Sequence, residues 1–295
     1  MTARSGLFTW IAVKLTRASG GDPLKLLWLY GLMTVVFSAV LNNVTAMIIV
    51  GSLSAVSLKR LGKGELLLGF LLLEGLLTNI GGMLTLISSV PNIIVGTTAG
   101  ISFFAFFFVS APFVVVASAL TLWVGAGQFG IKGLTFAKER ADAAALVDEF
   151  DENDGIDRPG FFRFAAVMTG LFILTIAATS VLPVVAPLGM GFVALSFAGV
   201  MLLWFRSEVD VFYKALDWDL LGFFASLFVV INVMEHAGVL ALIGEGLAAL
   251  LALGEVPGTG ALLVASAGFS SVTDNIPLAA MLARSTALLS LLVIL

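Results

Sequence analysis

Two polar pairs, Asn42-Asn43 and Asp274-Asn275, stand inside long apolar stretches of a 295-residue chain. Polar groups at such depth are costly to hold and mark ion or proton paths. Asp274 offers a carboxylate on which a proton and Na⁺ would compete, or, alternatively, a helix cap at the interface. Asn43, Asn275 and Thr45 add side-chain oxygens to the carbonyls that a bend frees, the hard-oxygen shell of a small cation. The alternative is amides that satisfy only the bend's own backbone. A further interruption runs from Thr78 to Asn92, and Asn79, Gly81, Gly82, Thr85 and Asn92 would line it. Helix N-termini freed there suit an anion equally well, so the sign of the cargo stays open. Glu74, between Leu71–Leu73 and Leu76–Leu77, is either a proton carrier or a neutral acid bonded to a neighbouring helix. Glu235-His236 reads as an interfacial anchor or a pH-sensing pair, Arg284 as a return to water, and Phe103–Phe108 as lipid-facing packing.

The elements that must position these groups are membrane helices. Apolar and aromatic residues make up 60% of the chain and charged ones 12%, too few to cover a soluble surface. A soluble enzyme, a disordered tail and a nucleic-acid binder are excluded. With no Cys and one His there is no thiolate site and no material for a Ser-His-Asp triad. No nucleophile-base pairing is visible, so no enzyme is expected, and no cofactor beyond Na⁺ or H⁺ as coupling ion. The net charge of −4 is local, since eight of the 19 acidic residues lie between Glu139 and Asp157.

Apolar runs cover 26–58, 66–100, 101–126, 161–185, 188–205, 220–234, 239–253 and 260–295. A span takes about 20 residues. The first run is too long for one span and too short for two, and its middle is Asn42-Asn43. It predicts a re-entrant hairpin with its tip at membrane depth. Lys14, Arg17 and Lys25 before it and Lys59, Arg60 and Lys63 after it put both flanks, and the N-terminus, in the cytoplasm. The second run predicts a discontinuous helix broken by glycines and Pro91. Residues 127–160 read as a cytoplasmic acidic linker with a short helix, a solvated connector between halves.

The chain also matches itself. Phe37–Val44 aligns without gaps on Phe269–Ile276, a displacement of 232 residues, with four of eight positions identical. The same displacement carries Ser5-Gly6-Leu7-Phe8 onto Ala237-Gly238-Val239-Leu240. Counting spans between the copies puts the second on the opposite side, an inverted-topology repeat. Residues 1–126 form the first repeat and 161–295 the second. A second broken helix would begin near residue 311, so the chain is expected to be a central portion of a transporter, or a reduced form that completes its site by pairing.

Ser38-Ala39-Val40-Leu41-Asn42-Asn43-Val44-Thr45-Ala46 and Thr78–Ile93, with Asp274-Asn275-Ile276-Pro277, resemble motifs of the ion transporter superfamily. That group includes sodium/proton antiporters, arsenical-pump permeases, P-protein relatives and citrate and dicarboxylate carriers. The resemblance covers most of the chain, and it places Glu74 at the family's glutamate ahead of the second motif. Asn42 stands where the pattern has Asp, and Ser88-Ser89-Val90 replaces G-D-P, so two carboxylates of a symmetric two-cation arrangement are missing. The resemblance implies an all-α polytopic fold with re-entrant hairpins, a plasma-membrane location and a homodimer. The expected function is secondary transport of a small ion by alternating access, with Na⁺/H⁺-coupled cation exchange first. Arsenite or another oxyanion, and citrate or a dicarboxylate, are the alternatives within transport. A truncated, non-transporting membrane subunit is the alternative of another class.

Overall fold

The computed structural model describes residues 5–148, 156, 158–178, 189–205, 209–214, 216–272 and 275–284. Among these residues every regular element is helical. In chain order they are α1 (Leu7–Ser19), α2 (Pro23–Ser38), α3 (Asn43–Arg60), a 3₁₀ turn (Gly64–Leu66), α4 (Leu67–Gly81) and α5 (Val90–Thr98). Then follow α6 (Phe103–Gln128), α7 (Ala137–Asp148), α8 (Pro159–Ala178), α9 (Gly189–Trp204) and α10 (Val209–Lys214). The last are α11 (Trp218–His236), α12 (Val239–Leu251), α13 (Glu255–Ser270) and α14 (Asn275–Arg284).

Gly64–Gly81, Phe103–Gln128, Pro159–Ala178 and Trp218–His236 are long and apolar enough to cross a membrane. Their outward faces are apolar; on α6, Phe108, Phe113 and Trp123 are each about 70% exposed. Meanwhile Tyr30, Ser54, Ser57 and Glu74 are buried. Grease outside and polar groups inside is the arrangement lipid selects and water does not. This is a multi-pass membrane protein.

By packing, the chain forms two compact units: residues 1–89 with 103–206, and 90–102 with 207–295. In the first, α2 packs against α1, α3, α4 and α6. Glycines set the close approaches: a Cβ at Gly125 would meet the Leu73 side chain, and one at Gly31 the Leu122 side chain. The pair α8 and α9 packs on itself and touches α1 and α6, where Leu86, Phe103, Ile176 and Val193 share a small core. Phe103 is therefore turned inward, and only part of the Phe103–Phe108 run faces out, because the strip of α6 bearing Phe103 is covered from within the unit. In the second unit α5 packs along α14, and Ile231, Leu240 and Ala280 form the core with Ile94 beside them.

The predicted hairpin is present as two arms, α2 and α3, joined by a turn at residues 39–42. Asp22 and Pro23 start α2, the carboxylate accepting from the N–H of Leu24 and Lys25 at 3.0 and 3.1 Å. Asn42 starts α3 by accepting from Thr45 N–H at 2.8 Å. The other oxygen of Asp22 accepts from Leu134 N–H at 2.9 Å, tying the linker to the foot of the hairpin. The linker helix α7 is docked rather than free: Gly21, at φ 73°, lies against Ala143, Val147 buries beside Val13, and Arg17 pairs with Asp148 at 3.7 Å.

The self-match extends to element boundaries. α1 and α12 are both 13 residues long, and each follows a glycine in the left-handed conformation, Gly6 at φ 82° and Gly238 at φ 77°. α2 and α13 are both 16 residues long, ending at Ser38 and Ser270. α3 and α14 then begin at Asn43 and Asn275. All of these correspond at the same displacement of 232 residues.

Replacing Asp22 with Ala should cost about 1–2 kcal/mol, the range for a lost helix cap, and Asp22→Asn should cost less because it still caps α2. Thermal unfolding of the detergent-solubilised protein measures both.

Candidate functional site

The candidate residues of the first repeat meet where the hairpin tip touches the broken end of α4. Ser38, the last residue of α2, is fully buried. Its hydroxyl lies 2.8 Å from Asn43 Oδ1 and 2.5 Å from the carbonyl of Thr78. Asn43 in turn donates from Nδ2 to Asn79 Oδ1 at 3.0 Å, and Asn79 donates to the Gly75 carbonyl at 3.2 Å. Beyond the break, the Thr85 hydroxyl donates to the Ala39 carbonyl at 2.5 Å. Ser88 donates to the carbonyls of Gly82 and Thr85. Backbone groups released at both bends therefore find side-chain partners inside the protein, as they must where no water serves them.

Two glycines make the approach possible. A Cβ on Gly81 would sit 2.6 Å from the carbonyl oxygen of Val35 and 2.7 Å from its Cα, so α4 meets α2 backbone to backbone. At Gly82 the missing Cβ would lie 2.8 Å from Asn43 Oδ1, 3.2 Å from the Thr78 carbonyl and 3.3 Å from that of Asn79. Three neutral oxygens, two of them carbonyls of α4's own last turn, thus lie within 3.3 Å of that position at the C-terminus of α4, the end with negative partial charge. Among the described residues no group of His, Cys, Asp or Glu gathers to hold a metal. The donor set is amide and carbonyl oxygen, suited to a hard cation of low charge.

Of the predicted residues, Asn43, Asn79, Gly81, Gly82 and Thr85 come together here. Asn42 and Thr45 are joined to each other as the cap of α3. Asn92, on α5, and Asn275, at the start of α14, belong to the second unit, where those two helices pack together. Asp274 lies outside the described residues. The second tip repeats one feature of the first: Ser270 donates to Asn275 Oδ1 as Ser38 does to Asn43 Oδ1. Glu74 is buried on α4, bonded to the Ser54 hydroxyl of α3. A groove of about 760 Å³ between α4 and α6 has Asn79, Thr121 and Gln128 on an otherwise apolar wall.

Sequence reasoning passed over Ser38, Thr78 and Ser54. Ser38 carried a signal, since it recurs as Ser270 in the self-match. Ser54 carried none beyond being a hydroxyl in an apolar run.

The sequence model of the CitMHS family, described as citrate transporter, matches residues 1–291. The chain belongs to the citrate transporter family. An uncharacterized transporter of Mycobacterium tuberculosis (strain ATCC 25618 / H37Rv) is 30% identical over 276 residues, 93% of this chain and 61% of that protein. A 46 kDa membrane protein of Mycobacterium leprae is 27% identical over 278 residues, 93% of this chain and 62% of its own. An uncharacterized transporter of Synechocystis is 27% identical over 277 residues, 92% and 59% respectively. The chain thus spans about three fifths of the length of these relatives. No solved structure matches it significantly.

The packing makes opposite forecasts for two glycines of one helix. Gly81→Ala should destabilise the protein by about 1–3 kcal/mol, because its neighbour is backbone and has nowhere to go. Gly75, with open space around its Cβ position, should tolerate Ala and gain up to about 1 kcal/mol from helix propensity. Thermal melts of the two variants test the pair.

Proposed function

We propose that this chain is the carrier portion of a secondary transporter that moves citrate or a related carboxylate across the plasma membrane, coupled to a cation bound at the first hairpin tip. The observation that supports the cation site is the approach of Asn43 Oδ1 to the last-turn carbonyls of Thr78 and Asn79 at Gly82, where no side chain intervenes. A monovalent ion such as Na⁺ fits that neutral set, because a divalent ion's greater desolvation cost calls for carboxylates. Asn43 bridges two elements, so a bound ion would pull the tip of the hairpin onto α4. An occupied tip then differs in free energy from an empty one, which is what coupling requires.

Citrate as cargo comes from family membership. By the self-match, Asp274 and Asn275 are read as a second ion-binding tip, the counterpart of Asn42-Asn43 in an inverted repeat. In this reading the N-terminus is cytoplasmic, since the basic residues of α1 and those after α3 flank both ends of the hairpin. Na⁺/H⁺ exchange without an organic cargo is the second reading. It draws on a buried carboxyl, Glu74, in the same unit.

Reconstituted vesicles separate the two. Citrate uptake driven by an inward Na⁺ gradient is expected, with Gly82→Ala raising the Na⁺ concentration for half-maximal uptake at least tenfold, since its Cβ displaces the Asn43 oxygen. Uptake no faster than in protein-free vesicles would remove citrate. Na⁺-driven proton movement in the absence of citrate would establish exchange in its place.

A further inference from the structure

Glu74 is the one buried carboxyl among the described membrane helices that the cation site does not use, and its two oxygens are treated differently. Oε1 accepts from the Ser54 hydroxyl, while Oε2 is shielded from the exterior and meets no hydrogen-bond partner. A carboxylate would need several donors to replace its lost water. One hydroxyl for two oxygens leaves the carboxylate short of donors, so the group is a seat for a proton.

The approach to that seat is lined with hydroxyls. Thr16 on α1 lies 2.5 Å from the hydroxyl of Tyr30 on α2, and Tyr30 lies 2.8 Å from that of Ser57 on α3. All three are buried. Ser57 and Ser54 are one helical turn apart on the same face of α3, about 5–6 Å between Cβ atoms, and a continuous file requires one water between them. Thr16, whose hydroxyl also bonds the Ala12 carbonyl at 2.9 Å, is followed by Arg17, which pairs with Asp148. The core around these groups is apolar, with Leu26, Val50 and Phe70 fully buried.

We propose that Glu74 is a reversible proton-binding site, loaded through the hydroxyl file Thr16–Tyr30–Ser57–Ser54. A proton entering at Thr16 is passed on as each hydroxyl accepts one proton and releases another, so no hydroxyl changes its net charge. The proton that Ser54 releases goes to Oε1, the oxygen it faces, and converts the carboxylate to the acid; unloading reverses the sequence. Toward Glu74, α3 presents the Ser54 hydroxyl and Gly51, whose Cβ position lies 4.0 Å from Oε2; α2, which also packs on α4, carries the titratable phenol of Tyr30, and α6 meets α4 through Gly125 against Leu73. Glu74 stands one turn before Thr78, whose carbonyl belongs to the tip site. Loading it therefore changes the charge seen by the bound cation, which couples proton and cation without a shared ligand. This last role rests on the carrier reading above; the proton site itself does not.

Infrared difference spectroscopy of the purified protein between alkaline and acidic buffer tests it without any cargo. A protonated-carboxyl C=O band that appears on acidification is expected. The part of it that belongs to Glu74 should be missing in Glu74→Gln and change frequency in Ser54→Ala, the other carboxyls of the chain supplying the rest. In Tyr30→Phe that part should remain but appear more slowly after a rapid pH jump. Identical carboxyl difference spectra for wild type and Glu74→Gln overturn the proposal. An unchanged rate in Tyr30→Phe overturns the file. Because no citrate is present, a negative result here leaves the citrate reading standing. A titrating Glu74 in protein that moves no citrate leaves the proton site standing.

Discussion

The Ser38 hydroxyl, wedged between the amide of Asn43 and the last turn of α4, is the contact on which the candidate site depends. A turn between two apolar helices exposes carbonyls and N–H groups that need partners. The turn at residues 39–42 is tenable because Ser38, Asn42, Asn43 and Thr85 supply partners from side chains. The same partners fasten the turn to the break in α4, so hairpin tip and broken helix are joined before any ion arrives. Gly81 and Gly82 complete the contact by removing the side chains that would hold the two backbones apart.

Around that contact the first unit is built inside out relative to a soluble domain. Its exterior presents Phe, Trp, Leu and Val, while Tyr30, Thr34, Ser38, Ser54, Ser57, Glu74 and Thr78 are interior. Burying polar groups in water-soluble proteins competes with hydration, but in lipid the exterior offers them nothing. The interior is the better place whenever a partner is present. Tyr30, Ser38, Ser54, Ser57 and Glu74 are accordingly linked side chain to side chain across helices, on faces of α2, α3 and α4, while Thr34 and Thr78 bond carbonyls of their own helices.

The repeat is carried by local geometry as well as by composition. Two 13-residue helices each follow a left-handed glycine, two 16-residue helices end in serine, and two asparagines each accept from that serine across a tip. The copies differ at their feet. Asp22, which clamps the linker in the first copy, has Gly254 as its counterpart in the second, so the linker is held by one copy alone. Packing also divides the chain differently from the repeat, since α8 and α9 join the first unit and α5 joins α14.

What the sequence by itself determined was the membrane class, the helix order, the hairpin turning at Asn42-Asn43, the break after Gly81 and the repeat. Each follows from apolar run length, from glycine and proline positions or from self-similarity, all of which act along the chain. Tertiary structure alone decided which polar residues meet. Asn43 reaches Asn79 across 36 positions, Ser54 reaches Glu74 across 20, and Asp22 holds Leu134 across 112. None of these pairings has a spacing rule, because they depend on how one helix face is rotated against another. That rotation is set by where glycines let backbones touch, a property of two segments together that neither segment displays alone.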